Sequence, residues 1–164
     1  GDVLHDRKSQ SRTADFTGKM RNLKSESETI QVSIYCDIIE QILKRHKELS
    51  VSKMLVFSYL IKRDKFTYRS VYTANNSQDI IYKGLSLLAG DYVGFCDSIE
   101  YIIKAIHLLK LKNIIGLENN IIIEISNTGI GKAVYEESMF LGKVIEASKK
   151  MTDKQFMKEV TYNV

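Results

Sequence analysis

The sequence contains no proline and no tryptophan, and it has only two cysteines and three histidines among its 164 residues. Without proline, its turns must be made by glycine and by the short polar residues Asn, Asp and Ser. Two cysteines are too few for a disulfide scaffold or a four-cysteine zinc site. Three scattered histidines without a His-x-x-x-His spacing also argue against zinc. We therefore predict a protein with no metal and no cofactor.

Long apolar runs are also absent. The longest covers residues 54–61 and contains Ser58 and Tyr59, whereas a membrane-spanning helix needs about 20 apolar residues. Residues 1–8 lack the apolar core of a secretion signal. With so little cysteine, these features predict a cytoplasmic protein that does not contact a membrane. A content of 44% hydrophobic and 27% charged residues is typical of one globular domain.

Positive charge is concentrated in one part of the chain. The whole chain has 24 basic and 20 acidic residues, a net charge of +4. Residues 50–69 hold five basic residues and one acidic residue, so their net charge of +4 equals that of the whole chain. Aromatic residues are interleaved with these basic residues. Such a pattern can bind phosphates and stack bases. It also fits cations at a helix C-terminus, or a patch for an acidic protein. The candidates for DNA contact are Lys62, Arg63, Lys65 and Arg69.

The sequence predicts two regions. Residues 1–29 are polar, and we expect a flexible N-terminal arm. Residues 30–164 form a single domain, which begins with a helix from Ile30. A second helix over 50–62, with Ser50 as N-cap, is apolar on two sides. Such a helix is either central in the core or covered by another chain. The candidates for a partner interface are Phe57, Leu60, Phe140 and Met157.

The middle of the chain predicts a winged helix-turn-helix unit. A short helix over 78–88 precedes a helix over 97–110 that opens with a capping-box pattern, and two strand-like runs follow around a turn at Asn119-Asn120. Two more helices follow, one from about residue 130 and one after Thr152. The expected class is mostly α (α+β), a helical domain with a winged helix-turn-helix unit and a small β-hairpin wing. Since the helix over 97–110 is strongly apolar, both DNA contact and protein docking are open.

No group of residues predicts catalysis. The stretch 127–132, Asn-Thr-Gly-Ile-Gly-Lys, differs from a phosphate-binding P-loop because Ser126 and Ala133 stand where the loop needs glycine and Ser or Thr. It also resembles the adenine-pocket motif of histidine-kinase-type ATPases, but Asn127 replaces the aspartate. We expect structural cysteines on or near apolar helix faces, and we expect Glu136 and Glu137 to be solvated and to point in different directions on a helix. The sequence therefore predicts a protein that is not an enzyme.

Two stretches together resemble a known family. Residues 49–60, Leu-Ser-Val-Ser-Lys-Met-Leu-Val-Phe-Ser-Tyr-Leu, resemble the "leu-ser-x-x-lys-leu-leu" helix in the middle components of ABC three-component systems. Residues 98–129 resemble the winged-helix half of those proteins, in which an apolar helix, a hairpin and a strand lead to a threonine-glycine turn. The family includes the small subunit of Lamassu-type anti-phage and anti-plasmid complexes. The resemblance covers about residues 30–160.

This resemblance implies a non-catalytic accessory subunit in an antiviral defence complex. Such a subunit sits beside an SMC-like coiled-coil ATPase, links it to an effector nuclease, and can meet double-stranded DNA held by the complex. Two other functions are open. One is a stand-alone winged-helix transcription regulator that dimerises through its terminal helices. The other is a nucleotide-binding enzyme that uses the turn at Asn127.

Overall fold

The computed structural model describes residues 3–64, 77–126 and 134–162, with side chains except in 3–16 and 77–78. The described chain is mostly helical and has a small antiparallel sheet, as the sequence predicts. Its elements in chain order are α1 (Val3–His46), β1 (Glu48–Ser50), α2 (Val51–Asp64), α3 (Ser77–Ser86), α4 (Tyr92–Leu111), β2 (Ile115–Glu118), β3 (Ile121–Glu124), α5 (Met139–Ser148) and α6 (Asp153–Tyr162).

The sheet is built around the predicted hairpin. Strands β2 and β3 pair antiparallel with Leu117 opposite Ile122, and the turn residues Asn119 and Asn120 have φ values of 47° and 68°. Positive φ at both central residues is the geometry of a type I′ turn, which asparagine tolerates. The hairpin prediction is therefore confirmed. A third strand, β1, pairs with β3 to give the order β1-β3-β2.

Strand β1 has no clear signal in the sequence. Helix α1 ends at His46, and Lys47 directly after it has a φ of 67° and donates its backbone N–H to the carbonyl of Leu43. Glycine is the usual residue at this left-handed position after a helix. Because lysine stands here instead, the sequence gives no signal for the end of α1. Three residues are also too few to show alternation, and Leu49 is the one buried residue of the strand.

Helix α2 is central in the core. It packs against α1, α4, α5 and α6. Phe57 and Leu60 are 0% and 2% exposed, and the Phe57 ring lies 5.5 Å from the ring of Phe156. The sequence allowed a helix that is central in the core or one that is covered by another chain, and the structure shows the central helix. Phe57 and Leu60 are therefore corrected from partner contacts to core residues, because helices of this same chain cover both sides of α2.

The polar N-terminal segment belongs to α1. The sequence predicts an arm over 1–29, but the helix runs from Val3 to His46 without a break at residue 29. From Val3 to residue 29 the sequence has no proline and one glycine, Gly18, and it is rich in Lys, Arg and Glu, which are good helix formers. All side chains over 17–27 are exposed. The prediction that this segment has an irregular backbone is therefore wrong, because it is helical from Val3. The predicted flexibility of the segment stays a prediction.

Other helix boundaries differ from the predicted ones. Helix α4 begins at Tyr92, so the pattern expected to cap it lies inside the helix, where Glu100 pairs with Lys104 at 2.6 Å. Helix α5 begins after the N-cap Ser138. The cap of α6 is as predicted, since Gln155 N–H donates to Thr152 Oγ1 at 3.2 Å. Among the described helices, none has the length and apolarity that crossing a bilayer requires.

Candidate interaction site

The two described candidates for DNA contact are held by partners inside the fold. Lys62 Nζ donates to the side-chain oxygen of Gln31 on α1 and lies 4.6 Å from the centre of the Tyr35 ring. Burial lowers the pKa of Lys62. Arg63 Nη1 donates to the carbonyl of Leu87 at 2.6 Å. These contacts tie the end of α2 to its neighbours. Lys65 and Arg69 lie outside the described residues, so their contact with DNA stays a prediction.

A third cation of the basic segment is also used internally. The side chain of Lys53 is 7% exposed, and its Nζ donates to the carbonyl of Met151 at 2.7 Å. The same Nζ is 3.9 Å from a carboxylate oxygen of Asp153. Burial lowers the pKa of Lys53, and Asp153 opposes this effect. The described part of the basic segment therefore connects helices instead of presenting a positive surface.

Phe140 and Met157 are half-buried against the core on α5 and α6. Each side chain already packs within this chain and leaves part of its surface exposed. A partner contact through that exposed part stays a prediction.

Helix α4 has a buried side and an apolar exposed side. Phe95, Ile102, Ala105, Ile106 and Leu109 are buried. The exposed side carries large aliphatic residues, which are Ile103 at 50%, Leu108 at 37% and Leu111 at 66%. A recognition helix binds base edges mainly through Arg, Lys, Asn or Gln, and of these four residue types α4 contains only lysine. The outer side of α4 is therefore better suited to protein contact than to reading DNA.

The exposed side of α4 forms one wall of a groove whose other wall is α1. The groove has a volume of about 900 Å³. Its wall on α1 carries the acidic residues Glu28, Asp37 and Glu40, and its other wall carries Lys104 on α4 and Lys112 directly after it. Apolar residues from both helices complete the lining. We call this feature, formed by residues 25–40 and 103–114, the α1–α4 groove.

A buried ionic cluster at the end of α1 was missed by sequence reasoning. His46 is 5% exposed, and its Nε2 lies 2.9 Å from Glu137 Oε2, while its Nδ1 is hydrogen-bonded to Glu146. Arg45 Nη1 lies 2.9 Å from the other oxygen of Glu137. Lys149 Nζ donates to the carbonyl of His46 at 2.7 Å. The cluster therefore connects α1 to α5 and to the segment before α5.

The protonation of this cluster follows from its geometry. Burial opposes the charged form of His46, but hydrogen bonds to Glu137 and Glu146 outweigh it and raise the His46 pKa. Burial by itself would raise the pKa of Glu137, but the hydrogen bonds of Glu137 to His46 and Arg45 outweigh burial and lower that pKa. The hydrogen bond to His46 lowers the pKa of Glu146. Since both ring nitrogens face carboxylates, the ring is an imidazolium that donates two hydrogen bonds.

Local spacing could not have revealed this cluster, because His46 is 91 and 100 residues from its two carboxylates. The prediction that Glu137 is a solvated helical residue is wrong: its side chain is 4% exposed and precedes α5 in an irregular segment. Within the described ranges, no group of three or more His, Cys, Asp or Glu side chains is placed to hold a metal ion. The cluster is therefore a structural connection.

The environment of Cys36 disfavours a reactive thiol. Cys36 is half-buried, its Sγ lies 3.8 Å from the carbonyl oxygen of Ala105, and burial raises the pKa of its thiol to about 11. A thiol with this pKa is protonated at neutral pH and is a poor nucleophile. Cys96 is exposed on α4. The stretch 127–132 lies outside the described residues.

The chain matches no protein-family model, no curated protein and no solved structure at a significant level. Its function must therefore be inferred from its own residues. The described surface offers an apolar groove with charged walls, while the buried ionic groups connect elements of the fold.

Proposed function

We propose that this chain is a non-catalytic accessory subunit of a bacterial SMC-like ATPase defence complex, in which it connects the ATPase to an effector nuclease. The starting point is the resemblance of residues 30–160 to the middle components of ABC three-component systems. The observation that carries the proposal is the exposed apolar side of α4, with Ile103, Leu108 and Leu111. Contiguous apolar surface on a small protein marks a site of protein contact.

The order of the elements supports the winged-helix part of the proposal. Helix α1, strand β1, helix α2, helix α4 and the β2–β3 hairpin follow one another with sheet order β1-β3-β2, and α3 lies between α2 and α4. This is the element order of a winged helix with one inserted helix. The sequence predicts that α3 pairs with α4. Instead α2 packs against α4, and α3 packs against α5 and α6. The helix-turn-helix pair we propose is therefore α2 and α4.

Protein docking is favoured over DNA reading by the charges as well as by the apolar side chains. Lys62 and Arg63 have partners within the fold, and beside α4 the acidic residues Glu28, Asp37 and Glu40 offset the positive charge of Lys104 and Lys112 that phosphate would need. Contact with DNA through Lys65 and Arg69, within the whole complex, stays part of the proposal.

The test is purification of the tagged chain from its native host at moderate salt, with nuclease treatment to remove proteins bridged by DNA. We expect a large coiled-coil ATPase and an effector nuclease to co-purify in fixed ratio. A monomer or homodimer without the ATPase would overturn the proposal. In that case the stand-alone regulator becomes the better hypothesis, and it predicts specific duplex binding with a steep dependence on salt.

A further inference from the structure

The α1–α4 groove has the length and lining of a helix-binding site. Glu28 and Lys104 form an ion pair across one end, and Glu40 and Lys112 lie towards the other end. Glu28 and Glu40 are twelve positions apart on α1, which corresponds to about 18 Å of helix. This span accommodates about three turns of a partner helix.

The lining of the groove is apolar along its length. It contains Val32 and Cys36 from α1, Ile103, Leu108 and Leu111 from α4, and Ile114 after α4. Amphipathic helices bind such grooves with apolar side chains spaced at i, i+3 or i+4, and i+7. Three turns provide three anchors of this kind. The exposed parts of Ile103 and Leu111 are available to them.

The two walls carry opposite charge. Asp37 and Glu40 lie on the α1 side, and Lys104 and Lys112 lie on the side of α4 and its C-terminal end. A helix in the groove therefore meets a negative wall along one flank and a positive wall along the other. A nucleic acid or an anionic lipid surface has charge of one sign, so one wall would attract it and the α1 wall would repel it. A helix with charge of only one sign on both flanks would also meet repulsion along one wall.

We propose that the α1–α4 groove binds an amphipathic helix of about three turns from a partner protein, with basic residues facing α1 and acidic residues facing α4. This inference rests on the proposed function, because it names the contact by which an accessory subunit holds its partner. The apolar face of the partner helix covers Ile103, Leu108 and Leu111. Its charged flanks determine which helices bind, because each flank must complement one wall.

The test uses three synthetic helical peptides of about 14 residues, each with leucines at i, i+4 and i+7. The first peptide has Lys on one flank and Glu on the other, the second has Lys on both flanks, and the third has Glu on both. Binding to the full chain is measured by fluorescence anisotropy. We expect the mixed peptide to bind roughly tenfold more tightly than the other two, since each of those places like charges along one wall.

Variants locate the binding site. Leu108→Glu should weaken binding of the mixed peptide about tenfold, because it places a charge on the apolar lining. Val93→Glu is the matched control, since Val93 is an exposed aliphatic residue of the same helix outside the groove. Asp37→Lys should change the preference towards the peptide with Glu on both flanks, and circular dichroism verifies that each variant is folded.

Three outcomes with the isolated chain would overturn the inference. These are equal binding of the three peptides, equal effects of Leu108→Glu and Val93→Glu, and a homodimer that Leu108→Glu dissociates, since a second copy would then occupy the groove. These assays use the isolated chain. If the ATPase co-purifies with the Leu108→Glu variant as it does with the unmodified chain, the groove inference fails and the proposed function stands.

Discussion

At the scale of single residues, His46 shows how a side chain with an unremarkable sequence context acquires a defined role. It is the only histidine of its segment, and it lies buried between two carboxylates that come from the distant C-terminal part of the chain. Removing one partner of a buried ion pair leaves the other charge uncompensated, which is costly. His46 therefore contributes to stability by joining α1 to α5 and to the segment before it.

The His46 cluster makes stability depend on pH in a predictable direction. The His46 pKa is raised above its ordinary 6.5, so its contribution is fully present below pH 6.5 and is lost as the pH rises through the raised value. The pKa values of Glu137 and Glu146 are lowered below 4.5, so their contribution is present above pH 4.5 and is lost as the pH falls through the lowered values. The cluster stabilises most between these limits.

We therefore expect the free energy of unfolding, measured by urea denaturation, to be larger at about pH 5.5 than at about pH 9. His46→Gln should remove most of this difference and should cost about 3 kcal/mol at the lower pH. His107→Gln is the control, because His107 is exposed. An equal pH dependence in the chain and in the His46→Gln variant would show that the cluster does not titrate as described.

At the scale of elements, the packing of α3 against α5 depends on a glycine. A Cβ added to Gly84 would lie 2.6 Å from Val144 Cγ1 on α5, which is closer than packed side chains approach. Valine has a stiff side chain and cannot move aside easily. The glycine therefore sets the distance between the two helices, although it weakens α3 as an isolated helix.

Two glycine substitutions should consequently have opposite signs. Gly84→Ala should destabilise the protein by about 1–3 kcal/mol, because α3 and α5 must separate. Gly18→Ala should stabilise it by about 0.5–1 kcal/mol, because Gly18 is exposed in α1 with nothing within 4 Å of an added Cβ. Thermal unfolding followed by circular dichroism measures both. Stabilisation by Gly84→Ala would contradict the packing of α3 on α5.

At the scale of the whole molecule, α2 connects the parts of the fold. It contacts α1 and α4 on one hand and α5 and α6 on the other. Phe57, in the middle of α2, packs on Phe156 of α6. Because α2 packs against helices on both sides, losing one of these contacts weakens the others. We therefore expect one cooperative unfolding transition.

Phe57→Ala should therefore lower the free energy of unfolding by about 3–5 kcal/mol, and the milder Phe57→Leu by about 1.5 kcal/mol. Met139→Ala, at a side chain that is 83% exposed, is the control and should change it by less than about 0.5 kcal/mol. Chemical denaturation measures all three. If Phe57→Ala kept full stability and lost a protein partner instead, Phe57 would be an interface residue after all.

Several features of the fold could be read directly from the sequence. The apolar periodicity of α2 and α4, the asparagine turn between β2 and β3, and the Thr152–Gln155 cap of α6 are all correctly predicted. Each depends on residues within a few positions of one another. Hydrogen bonds and side-chain spacing over such short distances follow from the local sequence.

Only the tertiary structure decided which chain covers α2, where Lys62 and Arg63 find their partners, and which residues surround His46. It also decided that α2 packs against α4, and that α1 and α4 enclose a groove between walls of opposite charge. These features join residues that are tens of positions apart. Local propensity carries no information on such pairs, because they form only when the helices pack and desolvate their faces together.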